Sequence, residues 1–177
     1  MVLKKFVYFM LILGVSLFSV NLFAEVKIGV FDLQKVMVKS QAGKDIKKFL
    51  EQKRDFYSKE IKKREQILKQ MRQDLEKKAM MLSEQAKQEK EKEYQKKLRD
   101  LKLYASDSEN ELKNLYREKT QKLIHDILLV ARDYGKKKNF TFIIEKQEGG
   151  IVYVSNTVDI TDEILKEFDN LYKKNKK

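Results

Sequence analysis

Apolar residues return every three, four or seven positions through Ile46, Leu50, Tyr57, Ile61, Leu68, Met71, Leu75 and Leu82. That period predicts a long amphipathic helix, with Ser40 placed to cap its start. Ile61, Leu68, Leu75 and Leu82 stand seven apart, the spacing of a left-handed supercoil seam. The opposing seam position is poorer, because Arg64 and Lys78 fall where an apolar residue is preferred. The seam is therefore thin, and an isolated rod of this kind is expected to be marginal and flexible. The apolar signal lapses from Ser83 to Glu93. It resumes with Tyr94, Leu98, Leu101, Ala105, Leu112, Leu115, Leu123, Ile127, Val130 and Tyr134. A chain reversal is placed near residues 80–86, where Ser83 can cap a second helix and Glu84 sits in its positive first turn. One uninterrupted helix is the alternative, since no glycine marks the turn. Two arms of about 40 residues give a hairpin about 60 Å long at 1.5 Å per residue. Gly135 is expected to end the second arm, with Arg132 and Lys136 to Lys138 near its negative end.

The periodicity changes on either side of this rod. Val26 to Phe31 alternates as a half-buried strand does, and Asp32 can cap a short helical turn carrying Leu33, Val36 and Met37. Phe140 to Ile144 and Ile151 to Val154 read as two further strands, joined at Gln147-Glu148-Gly149-Gly150 into a β-hairpin. A last helix follows, with Thr161 as its cap and Ile160 and Leu165 as a hydrophobic staple. Ile164, Leu165, Phe168, Leu171 and Tyr172 give it an apolar face. The fold class is α+β: a small sheet body from which a long antiparallel helical hairpin projects. Residues 25–39 form the first part of the body, 40–138 the arm, and 139–177 the β-hairpin and closing helix. Such a body encloses little core and leaves sheet edges to cover, which favours association of several copies.

The amino terminus is a separate object. Lys4 and Lys5 precede an uncharged apolar run from Phe6 to Val20, shorter than the roughly 20 residues of a spanning helix. Residues 1–24 read as a secretory signal cut after Ala24, although Leu22 is bulky for the −3 position. An uncleaved anchor is the other reading.

Charge and chemistry come next. The stretch from Lys44 to Asp100 has no Gly, Pro or Cys, and its 19 basic and 12 acidic side chains leave about +7. The whole chain carries +12, of which Lys4 and Lys5 supply two without any acid, so the chain from Glu25 carries +10. A chain this basic attracts acidic partners at long range. Many arm charges also have opposite neighbours at helical spacing, such as Glu60 with Arg64 and Asp55 with Lys59, so most single lysines read as a solvated face. Cysteine is absent and His125 is the only histidine, which excludes Cys/His zinc sites and His-dependent triads unless His125 acts alone. His125 reads as an ordinary polar or partly buried residue. Met80-Met81 at the tip could touch varied apolar partners or simply close the turn. Asn139-Phe140-Thr141 matches a glycosylation acceptor but overlaps a strand. No catalytic residue, cofactor or metal site is expected, and partner contacts are expected to be diffuse over the basic arm.

Val26 to Asp32 through Val36, the Lys-rich hairpin, the run from Phe140 through Val154, and Val158 to Leu165 together resemble the Skp/OmpH family of periplasmic chaperones. The similarity in order and length spans Glu25 to Tyr172, and Asp159-Ile160-Thr161 is its most specific part. The resemblance implies a homotrimer whose arms enclose a cavity. It implies an ATP-independent holdase for unfolded outer-membrane β-barrel proteins, located in the periplasm. Contacts with lipopolysaccharide or an anionic membrane surface belong to the same resemblance, with no residue assigned to them. Two other classes compete with it. A structural coiled-coil spacer of the cell envelope also needs rods and export. A basic nucleic-acid-binding protein would share the charge, but the export signal argues against nucleic acid as a physiological partner.

Overall fold

The computed structural model describes residues 26–78 and 80–176. The signal expected over residues 1–24 and its cut after Ala24 lie outside the described residues. Strand β1 (Ile28–Phe31) leads into α1 (Leu33–Lys39), and α2 (Gln41–Lys78) and α3 (Glu84–Lys137) form a helical hairpin. Strand β2 (Phe142–Glu145) and α4 (Thr161–Asn175) follow. No described helix is long and apolar enough to cross a membrane.

Local chemistry sets the breaks between helices. The Lys35 N–H donates to Asp32 Oδ1 at 2.7 Å and starts α1. Ser40 leaves helical geometry at ψ 154°, and its Oγ accepts the Gly43 N–H at 3.2 Å to start α2. At the tip, Ser83 Oγ accepts the Ala86 N–H at 3.3 Å. The 38 residues of α2 span about 57 Å and the 54 of α3 about 81 Å. The surplus of α3 re-enters the body and becomes its central helix.

The core lies where that surplus meets the two ends of the chain. Val36, Ile127 and Ile164 are fully buried, and Phe31, Leu123, Val130, Ala131, Ile160 and Phe168 close around them. Strands β1 and β2 form a two-stranded sheet, and an isolated bridge from Val30 to Asp159 covers the side of β1 away from β2. On one side β1 pairs in parallel with β2, Ile28 opposite Phe142 and Phe31 opposite Glu145. On its other side the Val30 N–H donates to the Val158 carbonyl at 2.8 Å, and the Ile160 N–H donates back to Val30 at 2.9 Å. The far edge of β2 has no strand partner among the described residues.

Three local expectations differ from what forms. The β-hairpin is absent: Ile151 to Val154 is irregular, with Val152 and Tyr153 almost fully exposed. Glu145 turns the chain instead, its Oε2 accepting the N–H groups of Gln147 at 2.8 Å and Glu148 at 2.7 Å. The Gly149 N–H then reaches the Glu145 carbonyl at 2.9 Å. That compact turn carries the chain away from β2 before a second strand can pair with it.

Gly135 does not end α3. It is buried within the helix, where a Cβ would lie 2.9 Å from Ile143 Cδ1, so its bareness lets β2 pack close. The helix stops at Asn139, whose φ of 54° is left-handed. There the Phe140 N–H donates to Gly135 at 2.9 Å and the Asn139 N–H to Lys136 at 3.3 Å. This is a Schellman closure, completed by Phe140 packing on Tyr134 with ring centroids 5.9 Å apart.

Thr161 is not a side-chain cap for α4 either. Its buried Oγ1 accepts the Asp32 N–H at 3.0 Å, while Asp159 Oδ1 accepts the Thr161 N–H at 2.9 Å. Asp159-Ile160-Thr161 is thus a clasp joining the start of the described chain to its last helix.

Candidate functional site

The arm is the part of the molecule that the body does not explain. Its root is fixed by α4. Asp169 Oδ1 accepts the Gln41 N–H at 2.8 Å, placing a carboxylate at the positive end of α2. Asp45, one turn into α2, receives hydrogen bonds from Lys176 Nζ at 2.7 Å, the Tyr172 hydroxyl at 3.1 Å and Gln41 Nε2 at 2.8 Å. Those three donors, Lys176 foremost, hold its carboxyl down at about 2.

Beyond the root the seam is sparse, as the pattern of apolar positions anticipates. Tyr57, Leu68 and Ser108 are its buried side chains along the arm shaft. Tyr57 and Tyr104 meet edge to face at 6.5 Å. The Glu111 carboxylate beside the Tyr57 hydroxyl, together with burial, pushes that phenol up to about 12. Ser108 Oγ donates to the carbonyl of Tyr104, one turn back, at 2.7 Å. Arg64 does not pair with Glu60 but lies across the ring of Tyr104, 4.1 Å from its centroid. Its Nε is buried with no hydrogen-bond partner. The arm thus contains a mid-shaft layer of aromatic and polar groups where a coiled coil prefers aliphatic ones.

The charge is unevenly divided. Helix α2 carries 13 basic and 7 acidic residues, whereas α3 carries 14 and 11. Most of the arm's positive excess therefore lies on α2. Only Lys47, Arg54 and Arg72 of its basic side chains make ion pairs among the described residues. Asp55 pairs with Arg54 at 3.7 Å rather than with Lys59. All these pairs are solvent-exposed and weak, so they leave the field of α2 largely uncompensated.

Apolar groups stand among these charges. Phe56, Ile67, Leu103 and Tyr116 are exposed along the shaft, and Met80 and Met81 are bare at the tip. The tip methionines project outward and close nothing. His125 is exposed on α3. Among the described residues no group of three or more His, Cys, Asp or Glu side chains is placed to hold a metal ion. Asn139 forms the left-handed turn, and Asp32 is a helix cap.

This combination defines a binding protein of the arm-bearing class: a small α+β body projecting a basic, partly apolar helical hairpin. The comparisons narrow the class. The model of the OmpH family, outer membrane protein (OmpH-like), matches residues 27–168. A Skp-like protein of Pseudomonas aeruginosa is 24% identical over 169 residues, covering 96% of this chain and 99% of the relative. A solved structure from Caulobacter crescentus, of a candidate OmpH-like outer membrane chaperone, superimposes with a TM-score of 0.77. The match has 12% identity and covers 82% of this chain and 85% of that one. The chain belongs to the OmpH-like family, which is a family of chaperones and not of enzymes.

Proposed function

We propose that this chain is an ATP-independent periplasmic holdase that keeps unfolded outer-membrane β-barrel proteins soluble before they reach the membrane. The observation that carries this reading is the arm. Its α2 presents a largely unpaired positive field, and apolar side chains stand exposed between the charges. An unfolded barrel protein is amphipathic and often acidic. A basic surface attracts it at long range, and scattered apolar contacts then hold it without requiring a sequence motif. Contacts are diffuse over the arm rather than confined to a catalytic-type centre. The thin seam lets the arms follow clients of different size. The same field suits lipopolysaccharide or an anionic membrane surface as secondary partners.

The working form is a homotrimer. The unpartnered edge of β2 and the bare Val152-Tyr153 segment support this, because an exposed strand edge and apolar side chains are both relieved by association. In this reading residues 1–24 are the export signal, and the chain from Glu25 is the periplasmic form.

The test joins two measurements on the chain from Glu25 onward. Its mass in solution is determined, and a urea-unfolded barrel protein is then diluted into it while light scattering is followed. A trimer that suppresses scattering at a fixed ratio is the expected result. Capture should also slow as salt rises, since screening sets in over about 8–10 Å at 0.10–0.15 M. A monomer that leaves scattering unchanged would overturn the proposal. If it also bound one defined envelope component, the spacer role would take its place.

A further inference from the structure

At the root of the arm, α1 and the first turns of α2 face α3 across an open groove of about 610 Å3. That volume lies within the roughly 300–1,000 Å3 of sites that bury apolar ligands. Its walls are apolar: Val38, Ile46, Leu50, Leu112, Tyr116 and Leu123. Val38 is 67% exposed and Tyr116 61% exposed, so two large side chains at the groove stand in water without cover. Gly43 holds the wall in place. A Cβ there would run into the Met37 carbonyl oxygen, so the absence of a side chain lets α1 fold down against α2 and bring Met37 and Val38 to the rim.

The rim carries Lys44, Lys47 and Arg54. Glu51 is the one carboxylate in the lining, and Lys47 already engages it at 4.0 Å. An apolar floor under a cationic rim selects an occupant with the opposite layout. A small anion would leave the floor unused. The arm of a second copy would bring local charge of the same sign, since its α2 carries 13 basic and 7 acidic residues. Alternating apolar and acidic side chains on an extended segment satisfy both features.

Resting on the holdase reading above, we propose that this groove is a discrete seat for one segment of an unfolded client. That segment places aromatic or branched side chains on the floor and its flanking carboxylates on Lys44, Lys47 and Arg54. The diffuse arm surface gathers the client, and the groove anchors it at the root.

The test uses the chain from Glu25 onward and a fluorescein-labelled 12-residue peptide of alternating aromatic and acidic residues. A counterpart peptide with lysine in place of the acids serves as control. Anisotropy titration should show the acidic peptide binding and the lysine peptide binding at least tenfold more weakly. Val38→Glu and Tyr116→Ala each remove apolar area at sites that bury little in the free chain. Each should weaken the acidic peptide about tenfold or more, with the helical circular dichroism melt unchanged. Val26→Glu, at a residue of similar exposure off the arm and outside the groove, should leave peptide affinity within about twofold. Four results would overturn the seat. They are equal binding of the two peptides, unchanged affinity in both groove variants, an equal loss in Val26→Glu, or a change in solution mass of a groove variant. The last would make the groove an interface between copies. Aggregation suppression by the parent chain is scored separately, so the seat can fail while the holdase reading stands.

Discussion

Arg64→Leu isolates the mid-arm layer. The guanidinium lies 4.1 Å from the Tyr104 ring centroid, a contact contributing about 0.5–1 kcal/mol when exposed and about 2 when dry. Against it stands the Arg64 Nε–H, buried without an acceptor, at a cost of about 1–3 kcal/mol. Leucine has nearly the helix propensity of arginine, and Arg64 lies one turn from the buried Leu68. Replacement also removes one positive charge from a helix carrying 13 basic and 7 acidic residues. The central values favour leucine by about 1 kcal/mol. Amide hydrogen exchange is the suitable assay, because arm opening is local and need not follow global unfolding. About 1 kcal/mol slows exchange of α2 and α3 amides around the layer roughly fivefold. Faster exchange in Arg64→Leu would refute the reasoning. It would show that the contact with Tyr104 outweighs the orphaned donor, making Arg64 a member of the seam rather than a weak point in it.

Three further outcomes follow from the body. Asn139→Gly relieves the cost of a left-handed non-glycine residue and should stabilise the chain by up to about 1 kcal/mol, read as a raised denaturant midpoint. Asn139→Ala should move the midpoint the other way. Thr161→Val keeps shape but removes the acceptor of the Asp32 N–H, so it should cost about 1–3 kcal/mol in urea unfolding. Asp45 is held down at about 2 by Lys176, Gln41 and Tyr172. A lowered folded value gives stability that is fully present above the unfolded value near 4 and lost as pH falls toward 2. Exchange protection in the last turn of α4 should therefore decline over that window, and Asp45→Asn should remove the decline.

The arm was legible because its evidence is local and repeated. Ile61, Leu68 and Leu75 recur along α2, which ends at Lys78 before Leu82, and Asp32, Ser40 and Ser83 cap helices a few residues away from themselves. What escaped the sequence depends on distant partners. Ile151 to Val154 has strand propensity, but pairing requires an edge, and the Glu145 turn directs the chain away from β2. Gly135 resembles a stop, yet its bareness serves Ile143 across the body, and Asn139 takes the left-handed turn. The Thr161 hydroxyl is captured by an N–H 129 residues earlier. Arg64 could be recognised as a poor seam residue, but its ring partner could not, because the register of two helices is not written in either one. The positive excess was visible as a total. The groove was not, since three elements build it and Val38 is out of phase with the core face of its short helix.

Body and arm differ in what holds them, and the difference bears on the loaded state. The body is closed by Val36, Ile127 and Ile164, with no exposed surface. The shaft has Tyr57, Leu68 and Ser108, and α2 adds self-repulsion along about 57 Å. Screening confines that repulsion to about 8 Å at physiological salt, so each α2 charge strains mainly the turns next to it. Under the proposed holdase function, an acidic client neutralises charge where charge is in excess, which is α2 more than α3. Loading should therefore raise exchange protection in α2 beyond that in α3, and high salt alone should reproduce part of the effect in the empty arm. If the two helices gained protection equally, or if salt left the empty α2 unchanged, packing against the client would be the source. The excess charge would then act in capture and not in holding.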